Sequence, residues 1–426
     1  MKLIGGNISD SPVKNVHDGS AFSVGGAAGT PTPPVFSNFG SPARAFADAI
    51  KESGPNATSN SGFSYFKIKD DYWGVVYRDA SNNPEFRLIT FSGDTPTFQS
   101  AVDLSAKHVL AGAAIMRAVS MDNDTDLVTY SLSALTSASH EVVRWTINLS
   151  TGALSYVSKA TQALVGTAAN DQLQCDICKI ADDHVVVTEG FGTDIRYTGL
   201  KISSREWGSS ITPSNAGDSR GIASNHQMAR NGTKNQVFTK MREDSDAVTY
   251  FHLVSIDTSD QALTENDTLK IGPSTWAHGG NTLGGNRQLI SIEEDKMAFV
   301  TAFTTMAFDL SSNAITLKVW INKGPSYSTG VAYSSPNSGW HHMGNGRFLG
   351  ISSYYAARLN TFAIAIDVTN WTITYSGQID LNSGHSATTT YAHAIIAAKE
   401  TSSEVTCILR TNNDSSYERM YTLDVV

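Results

Sequence analysis

Cys175 and Cys178 stand three apart in Leu173-Gln174-Cys175-Asp176-Ile177-Cys178, a spacing that can hold zinc or form a redox disulfide. The surrounding alternation reads as a strand, and positions three apart on a strand point to opposite faces, so the two thiols cannot meet one metal. There is no second C-x-x-C, and Cys407 stands alone. Two separately buried thiols are expected. Asp122, Asp124 and Asp126 have the spacing that opens a calcium loop, but Leu127 holds the sixth place, where glycine is required, and Ser133 the twelfth, where glutamate is required. A solvated turn is the reading. No G-x-S-x-G, H-E-x-x-H, phosphate loop or dinucleotide fingerprint occurs. The chain is therefore expected to be no enzyme, with no metal and no cofactor.

Composition narrows the partners. Of 426 residues, 40% are hydrophobic and 17% charged, and 31 Lys+Arg against 40 Asp+Glu leave a net charge of −9. A phosphate backbone is not the expected partner of such a chain, so no nucleic acid is foreseen. No run of eighteen apolar residues is present, so no membrane insertion by a helix is foreseen. The opening Met1-Lys2-Leu3-Ile4-Gly5-Gly6 turns polar at once, and no secretory signal is expected. Three cysteines cannot make a disulfide framework in a chain of this length.

Positioning falls to a repeat. An alternating apolar strand, a polar turn and a second strand recur with Phe91, Leu149, Ile202, Ile256, Leu310, Val368 and Val425 as anchors, spaced 58, 53, 54, 54, 58 and 57 residues apart. Upstream of each anchor a second polar turn enters a β-rich strand, as in Asp70-Asp71 before Trp73-Gly74-Val75-Val76-Tyr77 and Asp182-Asp183 before Val185-Val186-Val187. Short alternating strands separated by turn residues mark an all-β chain. Four strands in about 55 residues, seven times over, resemble the blades of the β-propeller superfamily across about residues 40–426. The Trp-Asp ending of WD repeats and the double glycine of kelch repeats are absent, so no subfamily is implied.

That resemblance implies an all-β fold: a seven-bladed β-propeller closed by an N-terminal strand. The chain ends after the third strand of its last repeat. Phe46-Ala47-Asp48-Ala49-Ile50 matches Ala101-Val102-Asp103-Leu104 at a distance of 55, from Asp48 to Asp103. Residues 43–50 are thus expected to supply the missing fourth strand, and residues 39–426 to form the propeller. Residues 1–38, with Gly25-Gly26 and Pro31-Thr32-Pro33-Pro34, read as an extended arm that orders only on a partner. Ser92-Gly93-Asp94-Thr95-Pro96-Thr97-Phe98 faintly resembles the Asp-box turn of sialidase propellers. Pro96 stands in the glycine position and Phe98 in the tryptophan position, and Arg220, Arg287 and Arg358 lie in no motif.

In a propeller, the loops between blades and those joining second to third strands open on one face. Eight of the eleven histidines fall in those segments: His108, His140, His226, His278, His341, His342, His385 and His393. Trp276, Trp340 and Tyr391 lie among them beside Gly, Ser and Asn, a composition suited to recognising a glycan or a protein. Trp276, His278, Trp340, His341, His342, Tyr391, His393 and His226 are therefore the candidate partner- or glycan-binding residues. The competing assignment makes these histidines hydrogen-bonded ties between blades. Acidic turns recur on the opposite face in four of the seven repeats, as a solvated rim or a dock for a basic partner.

The arm, the low charge and the Ser/Thr/Asn richness point to a structural or attachment protein of a virus particle, a bacteriophage tail or capsid-surface component. It would dock on other virion proteins through the arm and on a host-surface glycan or protein through one face. A bacterial carbohydrate-binding propeller or a degenerate sialidase-like glycosidase is the alternative, with the cell surface or cytoplasm as its location.

Overall fold

The computed structural model describes residues 13–16, 36–39, 44–45, 64–78, 83–93, 95–109, 116–133, 139–163, 174–191, 194–214, 227–243, 248–271, 289–300, 304–321, 338–354, 358–375, 379–380, 390–399, 404–411 and 418–425. Three strands come before the first repeat: β1 (Val13–Val16), β2 (Phe36–Phe39) and β3 (Arg44–Ala45). The first sheet holds β4 (Ser64–Lys69), β5 (Tyr72–Arg78), β6 (Pro84–Ser92), β7 (Thr95–Phe98) and β8 (Val102–Asp103). The second holds β9 (Met116–Ser120), β10 (Asp126–Ser133), β11 (Ser139–Ile147) and β12 (Leu154–Ala163). The third holds β13 (Gln174–Ala181), β14 (His184–Phe191), β15 (Asp194–Lys201) and β16 (Glu206–Trp207). The fourth holds β17 (Gln227–Arg230), β18 (Gln236–Glu243), β19 (Val248–Ile256) and β20 (Leu263–Ile271). The fifth holds β21 (Leu289–Glu293), β22 (Lys296–Val300), β23 (Thr305–Asp309) and β24 (Thr316–Ile321). The sixth holds β25 (Ser338–His342), β26 (Arg347–Tyr354), β27 (Arg358–Asp367), β28 (Thr372–Tyr375) and β29 (Ile379–Asp380). The seventh holds β30 (Thr390–Ile396), β31 (Glu404–Thr411) and β32 (Glu418–Val425).

The protein is all-β, and among the described residues the sheets are antiparallel meanders, apart from the parallel addition of β1 to β20, with β8 and β29 returning to pair with the third strands β6 and β27. In the second and fourth sheets the outer strand is less buried than the third. The third strand β19 is buried at nearly every position, because both of its faces meet neighbouring sheets, and its sequence Val-Thr-Tyr-Phe-His-Leu-Val-Ser-Ile is almost continuously apolar. The outer strand β12 is mostly exposed or half-buried. All seven repeat anchors lie at, or within two residues of, the end of a third strand. The turns explain why the anchors recur. Asp71, Asp124 and Asp295 in first-to-second hairpins, and Asn313 in a third-to-fourth turn, have φ of 64°, 57°, 64° and 54°. Asp and Asn tolerate that left-handed geometry best after glycine, which keeps these turns recognisable in sequence.

Successive sheets bury apolar faces against each other. Phe66, Leu88, Leu127 and Trp145 join the first and second, and Tyr130, Val142, Ile177 and Leu200 the second and third. Tyr197, Val186, Val237 and Tyr250 join the third and fourth, Phe238, Phe251, Phe299 and Phe308 the fourth and fifth, and Ala307, Val319, Phe348 and Ile364 the fifth and sixth. The first sheet also reaches the segment after β30: Trp73 Nε1 donates to Ala397 O at 2.9 Å and Asp71 N to Ala398 O at 2.7 Å. The arrangement is propeller-like.

Two places depart from the sequence reading. Within the segment read as a free arm, β1 pairs in parallel with the outer edge of β20, Val13 opposite Thr268 and Val16 opposite Ile271. Val-Lys-Asn-Val is too short to give a periodic signal, and backbone pairing needs only an open edge. The strands on β32 also begin earlier than expected, with Phe36 opposite Val425 and Ala45 opposite Arg419, while residues 46–50 lie outside the described residues. The first and sixth sheets show why: their fourth strand is broken in two, β7 with β8 and β28 with β29. Asp103 faces Glu85 as Ala45 faces Arg419, so the true counterpart of Asp103 is Ala45, and matching it to Asp48 misplaced the register.

Candidate functional site

The polar side chains of the second to fourth sheets form buried ties. His108 Nε2 lies 2.7 Å from Thr129 Oγ1 and its Nδ1 2.8 Å from Ser131 Oγ. Thr129 Oγ1 donates to Val143 O and accepts from Trp145 Nε1, so Nε2 is the donating nitrogen of His108 and Nδ1 accepts from Ser131. Burial first, and then the Lys159 charge, push His108 down to about 3. Glu141 Oε2 is only 3.8 Å away, but Lys159 Nζ donates to the same carboxylate at 2.8 Å and already balances it.

A second tie crosses between sheets. His140 Nδ1 lies 2.8 Å from Tyr130 Oη, and that hydroxyl donates to Thr188 O in the third sheet at 3.0 Å. With its one proton committed, Tyr130 accepts from His140 Nδ1–H, and His140 Nε2 faces Glu189 Oε2 at 3.1 Å. Burial first, then Cys175 and Glu189, hold the Tyr130 phenol well above its ordinary value. In the fourth sheet His252 Nδ1 lies 2.9 Å from Thr268 Oγ1 and 3.3 Å from Glu265 Oε1. Burial works to raise the Glu265 carboxyl, but hydrogen bonds from His252, Thr268 and Ser214 bring it down to about 2. Between first strands, Asp176 Oδ2 accepts from Met228 N at 2.8 Å and Gln227 Oε1 from Leu289 N at 3.1 Å.

The acidic turns of the other face are tied as well. Asp295 accepts from Asn231 Nδ2 at 2.9 Å and from Lys234 Nζ at 2.6 Å, and its own N–H donates to Asn231 Oδ1 at 2.7 Å. Burial would raise Asp295, but Lys234 and Asn231 hold it below the usual carboxylate range. A Cβ on Gly232 would stand 2.6 Å from Glu294 Cα, so the two hairpins meet tip to tip with no room for a side chain. Lys179 of the third sheet pairs with Asp122 of the second. Asp126 instead binds Arg144, and Asn123 caps the turn, so the three spaced aspartates diverge rather than converge on a cation. Cys175 and Cys178 are both buried and not joined in a disulfide, on opposite faces of β13 in different apolar clusters. Burial pushes the Cys175 thiol up to about 12.

Of the residues singled out in sequence, His341 is 7% exposed and half-buried His342 lies over the Phe348 ring at 4.7 Å. Trp340 falls on β25, and Tyr391 and His393 on β30, where only the backbone is described. Trp276, His278, His226, His385, Arg220 and Arg287 lie outside the described residues. The structure thus brings His108 and His140 inward. Sequence reasoning overlooked Asp176 and Gln227, because β13 also carries Gln174 and Lys179 and Gln227 merely opens Gln-Met-Ala-Arg, so no local pattern sets either apart.

No family model matches the chain, and no curated protein matches it. Among solved structures, a protein from Lactobacillus plantarum aligns over 74% of this chain and 83% of its own, with 10% identity and a TM-score of 0.49. A hypothetical selenium-binding protein from Sulfolobus tokodaii covers 78% and 80%, with 11% identity and a TM-score of 0.49. A putative 6-phosphogluconolactonase from Bacteroides uniformis covers 82% and 95%, with 13% identity and a TM-score of 0.48. Likeness of this order bears on neither substrate nor activity.

Proposed function

We propose that this chain is a seven-bladed β-propeller closed by its own N-terminal segment, and that it binds rather than catalyses. It serves as a structural or attachment protein of a virus particle, a phage tail or capsid-surface component. One face, carrying Trp276, Trp340 and Tyr391, docks on a host-surface glycan or protein, and the N-terminal arm engages neighbouring virion proteins. Closure is supported by β2 and β3, which take the place on β32 that β7 and β8 take on β6. The observation that carries the binding reading is the use of the buried histidines: His108, His140 and His252 hold strands and sheets together. Side chains of catalytic type are thereby engaged in a rigid frame, and recognition falls to the loops on that frame.

The test applies labelled full-length protein to intact bacterial cells and to their purified surface polysaccharides, with polysaccharide chain length followed in parallel. Saturable adsorption with the polymer left intact is expected. Shortening of the polymer by the protein would make it a glycosidase and end the binding reading. Mass spectrometry of purified virus particles that lacks its peptides would end the virion assignment.

A further inference from the structure

Outer strands are the edges at which a sheet can add a foreign strand, and the described ones are guarded differently. β7, β8, β16, β28 and β29 have two to four residues, and β24 has six. β20, with nine residues, carries β1. β12 has ten residues, contains no proline, and pairs among the described residues only with β11. Its one charge, Lys159, is turned inward to Glu141 and Lys107 O. Short length, proline and edge charge are the usual guards against strand addition, and β12 has none of them.

β12 and β20 are built alike. Each opens with a leucine opposite the last residue of its third strand, Leu154 on Ile147 and Leu263 on Ile256, and each has a one-residue bulge three positions on, at Val157 and at Asn266. β1 pairs with Thr268–Ile271, the second to fifth residues past that bulge. The same offset on β12 gives Lys159–Gln162. The two edges differ at and just before the bulge. β20 has Glu265 and Asn266, bonded to His252 and Ser255, whereas β12 has Tyr156 and Val157, 47% and 46% exposed. Val109 is 63% exposed and held nearby through its N–H on Glu141, and Lys107 Nζ sits 4.1 Å over the Tyr156 ring. These three are the exposed large hydrophobic residues among those described.

We propose that the outer edge of β12 receives the N-terminal arm of a second copy of this chain, Val13–Val16 of one copy running parallel to Lys159–Gln162 of its neighbour. The arm is chosen because it already adds to the matching edge of β20. Residues 17–35, which link it to β2, can span roughly 65 Å when extended, so the arm reaches past its own sheet. Just before the paired stretch β12 has the exposed, apolar Tyr156 and Val157, which flank the added strand where β20 has Glu265 and Asn266. This inference does not rest on the attachment reading.

The test mixes two full-length chains in a Cys407→Ser background, one carrying Asn15→Cys and the other Thr161→Cys, with a short bismaleimide. A crosslinked dimer containing one of each is expected, reduced about tenfold by Tyr156→Asp with Val157→Asp in the second chain. An Asn15→Cys, Lys270→Cys chain reports the arm at home on β20. Crosslinking only within that chain, with no mixed dimer at any concentration, overturns the proposal. So does a mixed dimer indifferent to the aspartates, which is random collision, or a dimer joined only Thr161 to Thr161, which is edge-to-edge pairing without the arm.

Discussion

The junction between the fourth and fifth sheets and that between the second and third solve the same packing problem with different chemistry. In the first, Phe251 and Phe308 meet at 4.8 Å, Phe238 and Phe308 at 5.1 Å, and Phe251 and Phe299 at 5.7 Å, all fully buried. In the second, Tyr130, His140, Thr188 and Glu189 bring a phenol, an imidazole, a carbonyl and a carboxylate into the interface. The aromatic junction rests on ring packing, with the buried Lys240 Nζ 5.4 Å from the Phe299 ring centroid. The polar one fixes how two sheets sit, and it fails abruptly when one partner is lost, because the remaining groups are buried without compensation.

Breaking each junction should show the contrast. Phe251→Ala removes the ring at the centre of the aromatic cluster and is expected to cost about 3–5 kcal/mol, read as a lower denaturant midpoint. Tyr130→Phe keeps the ring but removes the hydroxyl that joins His140 Nδ1 to Thr188 O, with an expected cost of about 1–3 kcal/mol. A Tyr130→Phe chain as stable as the parent would make the polar junction ornamental.

His108→Gln sharpens the comparison within the second sheet, at about 1 kcal/mol near neutral pH. The imidazole titrates at about 3 in the folded chain against 6.5 in a free one. Between those values the unfolded chain binds the extra proton, so stability is full above about 6.5 and is lost as pH falls toward 3. Urea titrations from pH 7.5 to 4 should slope downward for the parent and less so for His108→Gln. Equal slopes would show that His108 is not held neutral by its burial. Glu265 acts lower, its carboxyl lying at about 2 against 4.5, so its contribution disappears only as pH falls from about 4.5.

The same contrast explains what could be read from sequence. The aromatic junction was legible, because Phe238, Phe251 and Phe308 sit in alternating apolar runs whose turns need a left-handed residue. The polar junction was half legible. Loop position placed His108 and His140 toward one end of their sheets, but loop position does not say whether an imidazole turns outward or into the gap. That depends on Thr129, Ser131 and Glu189, from neighbouring strands and the next sheet, which no local pattern announces. The pairing of β1 with β20 left no sequence signal, since it uses backbone groups alone.

The central claim is a rigid frame, tied by its buried histidines, that presents a separate recognition face. Trp276→Ala combined with Trp340→Ala tests it most directly, with thermal melting and adsorption to cells measured on the same preparation. The account predicts an unchanged melting temperature and adsorption weakened by more than about thirtyfold, the effect of losing aromatic anchors at an interface. A lowered melting temperature with adsorption intact would contradict it, and would make those tryptophans part of the packing between sheets.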